Sequence, residues 1–209
     1  MSKITKLLGF KKNGLKILFV TSEEAPFAKV GGLGEVMFSL PRALKHLGHD
    51  ARVMIPLYGT VDLSRHNLPY VYKDLGVPTA PLGKGLRLIC NVRKYEPKEF
   101  KRNPVTTYFL ENREYYELRS NVYGYMDDRI RFALLSRGCL EFLNSWQEWL
   151  PDIIVSTDWM TGYLPNFLKT DYKDFKLLKN IPAVFSIHNL SSQGTDMLEK
   201  YTSETKKDD

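Results

Sequence analysis

Residues 16–56 constrain the fold most. Two largely apolar runs, KILFVT (16–21) and ARVMIP (51–56), bracket a glycine-rich loop and a helical pattern. Short continuous apolar runs rich in β-formers predict strands buried on both faces, the kind that parallel sheets contain. Between them Leu33, Val36, Leu40, Ala43, Leu44 and Leu47 recur at helical spacing, and Gly48 marks a stop. Pro41 falls inside that helix and is expected to kink it or to mark its first turn. Strand, glycine loop, helix and strand make one parallel α/β unit with a right-handed crossover.

The alternation continues along the chain. LRLICNVRKYE (86–96) and VTTYFLE (105–111) read as strands around a polar, proline-containing turn. Over 129–149 Ile130, Ala133, Leu134, Leu140, Leu143 and Trp146 keep a helical period, with Asp127 or Asp128 placed to cap it and Pro151 to end it. DIIVST (152–157) is a further buried strand, a short helix is expected over 161–169, and PAVFSI (182–187) reads as a central strand. The expected fold is therefore α/β: a Rossmann-like, mostly parallel sheet over residues 15–196. A basic extension, 1–14, precedes it, and a charged tail without apolar periodicity, 197–209, is expected to be disordered.

Composition narrows the class. At 43% hydrophobic the chain can bury a sizeable core, and no window approaches the apolar length of a membrane span. The N-terminus lacks a secretory hydrophobic region and reads as a cytosolic extension. Cys90 and Cys139 stand far apart with no histidine pair nearby, which argues against a disulfide framework or a metal site and for reduced thiols in a cytoplasm. The net charge of +6 suits a nucleic acid or a phosphorylated small molecule equally.

In an open parallel sheet ligands sit beyond the C-terminal ends of the strands. Three stretches fall there: SEEAPFAKVGGLG, TDWMTG and HNLSSQG. In the first, Gly31, Gly32 and Gly34 open a helix beside Lys29. The backbone amides of Gly31, Gly32, Leu33 and Gly34 could cradle a phosphate there, or the glycines could only let the helix pack on the strand. The pattern is not G-x-G-x-x-G. Asp158 fits an N-cap or a carboxylate that bonds a polar ligand. His188 stands at the mouth of a strand, whereas His46, His49 and His66 read as surface residues. Residues 100–104 and 111–129 interleave basic residues with aromatics, among them Tyr116, Arg119 and Tyr123. Such a mixture fits a half-buried loop or a single-stranded nucleic-acid surface.

Four stretches together carry a resemblance: KILFVTSEEAPFAKVGGLGEV, YGYMDDRIRFALLSRGCLE, DIIVSTDWMTGYLP and AVFSIHNLSSQG. In this order and spacing they resemble the N-terminal half of the glycogen/starch synthases, retaining glucosyltransferases of the GT-B fold. The resemblance covers residues 15–194. It implies the N-terminal lobe of that fold, the second lobe being absent from this chain. It also implies transfer of glucose from ADP- or UDP-glucose to the non-reducing end of an α-1,4-glucan, with no cofactor or metal. By the same resemblance, Lys29 and the loop amides of Gly31, Gly32, Leu33 and Gly34 meet the nucleotide sugar's pyrophosphate and glucose. Asp158 and Trp159 lie near the sugar, and His188, followed by Asn189, stands beside the anomeric centre. Tyr116, Arg119 and Tyr123 become candidates for the acceptor. Val30 and Met160 depart from the family's threonine and histidine. Partners implied are a nucleotide sugar, an α-glucan and a separate C-terminal lobe, but neither nucleic acid nor membrane. Two rivals stand beside this reading: a non-catalytic glucan- or nucleotide-sugar-binding module, and a nicotinamide-dependent oxidoreductase. Against the second count the missing G-x-G-x-x-G and the lack of an acidic residue after the second strand.

Overall fold

The computed structural model of the chain describes residues 14–81, 85–97 and 104–194. The expected extension (all but Gly14), residues 195–196 and the charged tail lie outside the described residues. Seven strands form one sheet: β1 (Lys16–Val20), β2 (Asp50–Pro56), β3 (Tyr70–Pro78), β4 (Arg87–Tyr95), β5 (Thr106–Glu111), β6 (Ile153–Thr157) and β7 (Ala183–Ser186). Their spatial order is β3-β4-β5-β2-β1-β6-β7. The β1/β2, β1/β6, β2/β5 and β6/β7 pairs are parallel, and only β3/β4 and β4/β5 are antiparallel. The mostly parallel α/β sheet is thus present.

The two largely apolar runs lie where burial on both faces demands them. Leu18, Phe19 and Val20 of β1 are all buried, as are Val53, Met54 and Ile55 of β2. Four helices join the strands: α1 (Gly32–His46), α2 (Asp128–Ser145), α3 (Asp158–Thr161) and α4 (Tyr163–Lys169), with a π-helical turn at Arg113–Glu117. α2 is buried on nearly every side, including Arg131, Ser136 and Glu141, so it carries almost no polar face.

Several elements depart from the reading by sequence. β3 was not anticipated; its register on β4 is irregular and it lacks clean alternation. α1 buries Leu33, Met37 and Pro41, while Leu40 and Leu47 face outward. Pro41 sits in the helix interior rather than its first turn. α2 ends at Ser145, well before Pro151. Trp149 lies beyond it, its indole N–H donating to Asp50 (2.7 Å) under the Arg52 guanidinium. Neither aspartate caps α2 with its side chain. The expected 161–169 helix is two helices meeting at Gly162. β7 is the edge of the sheet among the described residues, not a central strand, and Val184 and Phe185 are exposed on it. Two histidines also have structural work: His49 Nδ1 accepts from the Leu15 amide, and the His66 ring packs edge-on against Phe27.

Candidate active site

β1, β6 and β7 lie side by side and parallel, so their C-terminal ends open on one edge of the sheet. The chain leaves β1 toward β2 on one side, while β6 flanks it on the other, and open α/β sheets bind ligands at such a divergence. A cleft of about 610 Å³ lies there, lined by residues from all three of the stretches singled out above.

Asp158 is the hinge of this edge. Its φ of 51° turns β6 directly into α3 without a loop, a left-handed conformation that aspartate tolerates better than most side chains. Around it the Thr161 hydroxyl accepts from the Thr157 amide (2.6 Å) and donates toward the Thr157 carbonyl (2.8 Å), near the Val20 carbonyl of β1. The buried Asp158 carboxylate is not an N-cap. Its Oδ1 accepts from the backbone amides of His188 (2.6 Å) and Asn189 (3.1 Å), fastening the segment after β7 to the segment after β6. The His188 ring is exposed, with Nε2 3.0 Å from the Ser186 hydroxyl. The Asn189 side chain turns inward on its own loop and accepts from the Ser191 amide and hydroxyl. That loop returns over Trp159. At Gly194 (φ 69°) a Cβ would stand 2.7 Å from the indole, so both the backbone and the approach require glycine. Trp159 is held between this contact and an edge-on Phe132 (5.4 Å). Met160 gives the cleft a buried apolar wall.

The three loop glycines divide by role. A Cβ on Gly31 or Gly32 would meet nothing within 4 Å, and both residues line the cleft. Gly34 does not line it; a Cβ there would come 3.2 Å from Lys29 Cγ and 3.3 Å from Glu23 Oε2. Leu33 is buried at the cleft wall. Lys29 is directed elsewhere: its Nζ pairs with Glu35 at 2.5 Å, both side chains half exposed. The residue that sequence reasoning missed is Glu23, 3% exposed at the back of the loop. Its Oε2 accepts from the amides of Val30 (2.7 Å) and Gly31 (2.9 Å), and its Oε1 from the Tyr123 hydroxyl (2.6 Å). Its only sequence signal was a carboxylate seven to eight residues ahead of a glycine run.

The tyrosine-rich stretch forms another wall, but not with the residues expected. Tyr116 is fully buried, and its hydroxyl donates to the Arg131 carbonyl (2.7 Å), so it cannot meet an acceptor. Arg119 is half-buried and engaged by Asp127 (2.6 Å) and the Glu114 carbonyl. Of the three acceptor candidates, only Tyr123 lines the cleft. Arg131 holds this wall in place. It is wholly buried and donates to the carbonyls of Tyr115 (2.7 Å) and Val122 (3.1 Å) and to Asp128. Asp128 in turn accepts from the amides of Gly124 (2.8 Å) and Tyr125 (3.2 Å).

Beside Glu23, Glu24 has a different environment. It is buried against the Thr107 hydroxyl, and burial pushes its carboxyl up to about 8, opposed by the Thr107 hydrogen bond and the Arg42 charge. Between its ordinary value of 4.5 and about 8 the folded chain keeps a proton that the unfolded chain has released. The stability this proton confers is complete below the lower value and is lost as pH rises to the upper one, at up to about 1.4 kcal/mol per pH unit. Glu24→Gln should therefore melt progressively above the wild type from near pH 5 to near pH 8. Parallel melting curves over that range would exclude this titration.

Among the described residues, Glu23 and Asp158 give the cleft two carboxylates without an ion-pair partner, Asp128 being neutralised from behind by Arg131, and no lysine or arginine lines it. Such a surface favours hydroxyl groups and developing positive charge over a bare anion.

Comparison with known proteins places the chain in a family. Residues 16–206 match the family described as the starch synthase catalytic domain. The glycogen synthase of Clostridium acetobutylicum is 41% identical over 181 residues, 86% of this chain and 36% of that protein. That of Streptococcus agalactiae is 38% identical over 184 residues, with the same two shares. Among solved structures, the catalytic domain of starch synthase IV from Arabidopsis thaliana, bound to ADP and acarbose, superposes with a TM-score of 0.74 at 27% identity. It covers 88% of this chain and 36% of its own, so the chain spans about a third of the length of these relatives. With nearly every residue matched, the chain belongs to the starch synthase catalytic-domain family.

Proposed function

We propose that the cleft binds ADP- or UDP-glucose and contributes one lobe of a retaining glucosyltransferase that extends an α-1,4-glucan, in the cytoplasm. One observation carries this reading. Asp158 braces the His188 segment in the same cleft that Gly31 and Gly32 keep clear of side chains. The glycines leave room for a pyrophosphate near the N-terminus of α1, whose first amides have no partner within the helix. Asp158 and His188 hold the sugar. As the glycosidic bond to the diphosphate lengthens, oxocarbenium-like charge on the sugar is stabilised by the carboxylates around it. The work is electrostatic preorganisation. The Arabidopsis thaliana starch synthase IV catalytic domain was solved bound to ADP and acarbose, which supports the ligand class.

The negative charge of the departing diphosphate needs cations that this cleft does not present. We assign them to the remaining two-thirds of the family's length, with Lys29 recruited from its Glu35 pair. The test is radiolabelled glucose transfer from ADP- and UDP-glucose onto glycogen. The chain alone should give no incorporation, because losing even one preorganised hydrogen-bond donor costs about two to three powers of ten. A chimera that joins residues 15–194 to the rest of the C. acetobutylicum glycogen synthase should transfer glucose. A folded chimera without activity, or clear transfer by the chain alone, would defeat the proposal.

A further inference from the structure

We propose that Glu23 sets which anions the glycine loop accepts, by filling the amides of Val30 and Gly31 with its own carboxylate. A glycine-rich loop at a helix start looks like a general anion cradle, yet its leading edge is already occupied. The amides of Val30 and Gly31, just ahead of the helix, point at Glu23 Oε2, at 2.7 and 2.9 Å. The other oxygen is fixed by the Tyr123 hydroxyl at 2.6 Å, and Ser22 meets that hydroxyl at 2.7 Å. Burial, and then the Glu23 hydrogen bond and charge, hold the Tyr123 phenol well above its ordinary value, so it stays a donor. Three donors thus converge on a carboxylate that is 3% exposed. Gly34 preserves the arrangement, since a Cβ there would press on Glu23 Oε2 at 3.3 Å.

The carboxylate belongs to the same loop, so it competes for these amides at a high effective concentration that a free ion in solution does not match. A small tetrahedral anion finds the amides taken and a negative charge beside them. A nucleotide diphosphate gains binding from its other parts and needs only the unfilled portion of the loop. Glu23 is therefore a positioning residue that favours the extended ester over inorganic phosphate. This inference rests on the nucleotide-sugar reading only for the identity of that ester.

The experiment is an amide-resolved NMR titration of the full chain with inorganic phosphate and, separately, with ADP. In the wild type the Val30 and Gly31 amides should be protected from exchange and should not respond to phosphate. In Glu23→Ala they should lose protection and respond, with apparent affinity at least ten-fold tighter than in the wild type. Glu23→Gln can still accept from both amides through one oxygen but lacks the charge, so it should keep their protection and bind phosphate more weakly than Glu23→Ala does. A phosphate response at these amides in the wild type, or none in a folded Glu23→Ala, overturns the inference. If Glu23→Ala does not fold, exchange in the other two proteins decides, and unprotected Val30 and Gly31 amides in the wild type overturn it. ADP that perturbs no cleft residue in any of the proteins would instead count against the nucleotide-sugar reading, leaving the phosphate result intact.

Discussion

Arg131→Ala is expected to leave no folded chain at 37 °C, or to lower the melting temperature by about 10 °C or more. The side chain is 0% exposed and its ion-pair partner Asp128 is 1% exposed. Removing one member of such a pair strands a buried charge, at about 3–5 kcal/mol, against total stabilities of about 5–15 kcal/mol. Here the loss is compounded, because the carbonyls of Tyr115 and Val122 lose their donor as well. Asp128 would keep only the Gly124 and Tyr125 amides. Arg131→Lys returns the charge without the planar fork and should fall between the two. Adding Asp128→Asn to Arg131→Ala should recover part of the loss by removing the stranded charge. The pair is not perfectly satisfied even in the wild type, since Arg131 Nη2 is buried without a hydrogen-bond partner. Thermal melts followed by circular dichroism decide the matter: an alanine variant melting within about 2 °C of the wild type would show that the wall stands without it.

The second large effect is expected at Asp158. Replacement by alanine removes the acceptor of two backbone amides and puts an ordinary Cβ residue at φ 51°. Losing part-buried hydrogen bonds to a charged acceptor costs about 1–3 kcal/mol and the backbone strain about 1–2 kcal/mol more. The two contributions separate experimentally. Asp158→Gly relieves the backbone but not the amides, while Asp158→Asn tolerates the backbone and keeps one acceptor. Protection of the His188 and Asn189 amides should therefore fall in the order Asp, Asn, then Gly and Ala together. In the active chimera the alanine variant should lose turnover by about two to three powers of ten, more in kcat than in KM. Full protection of both amides in Asp158→Ala would show that the β7 segment is held by something else.

How far the sequence discloses this molecule depends on the range of the interactions involved. KILFVT and ARVMIP declare themselves because a strand buried on both faces needs an apolar residue at every position. β3 does not, because it forms an edge of the sheet, with an irregular register and exposed residues among buried ones. The placement of Asp158 and His188 beyond strand ends follows from local order, but their bond does not. It joins residues thirty apart and uses backbone amides that any side chain could carry. Tyr116 and Tyr123 look alike in the sequence. Only the chain's path separates one buried on Arg131 from one facing the cleft. Glu23 escaped notice because an acidic residue near a presumed anion site reads as a contradiction until its amide partners are known.

The pairing of β1 with β6 also has a temporal side. Ile17 and Ile153 are register partners across more than half of the chain, while β1 meets β2 after a single helix. Contacts so distant in sequence form slowly, because a long loop must close before they give anything back. On the ribosome, β1 to β5 with α1 emerge first and can condense while β6 and β7 are still unsynthesised. One flank of β1 waits in that interval as an unpaired apolar edge, the kind of surface that draws aggregation or chaperones. The cleft, which needs both flanks, cannot form until β6 and β7 have followed.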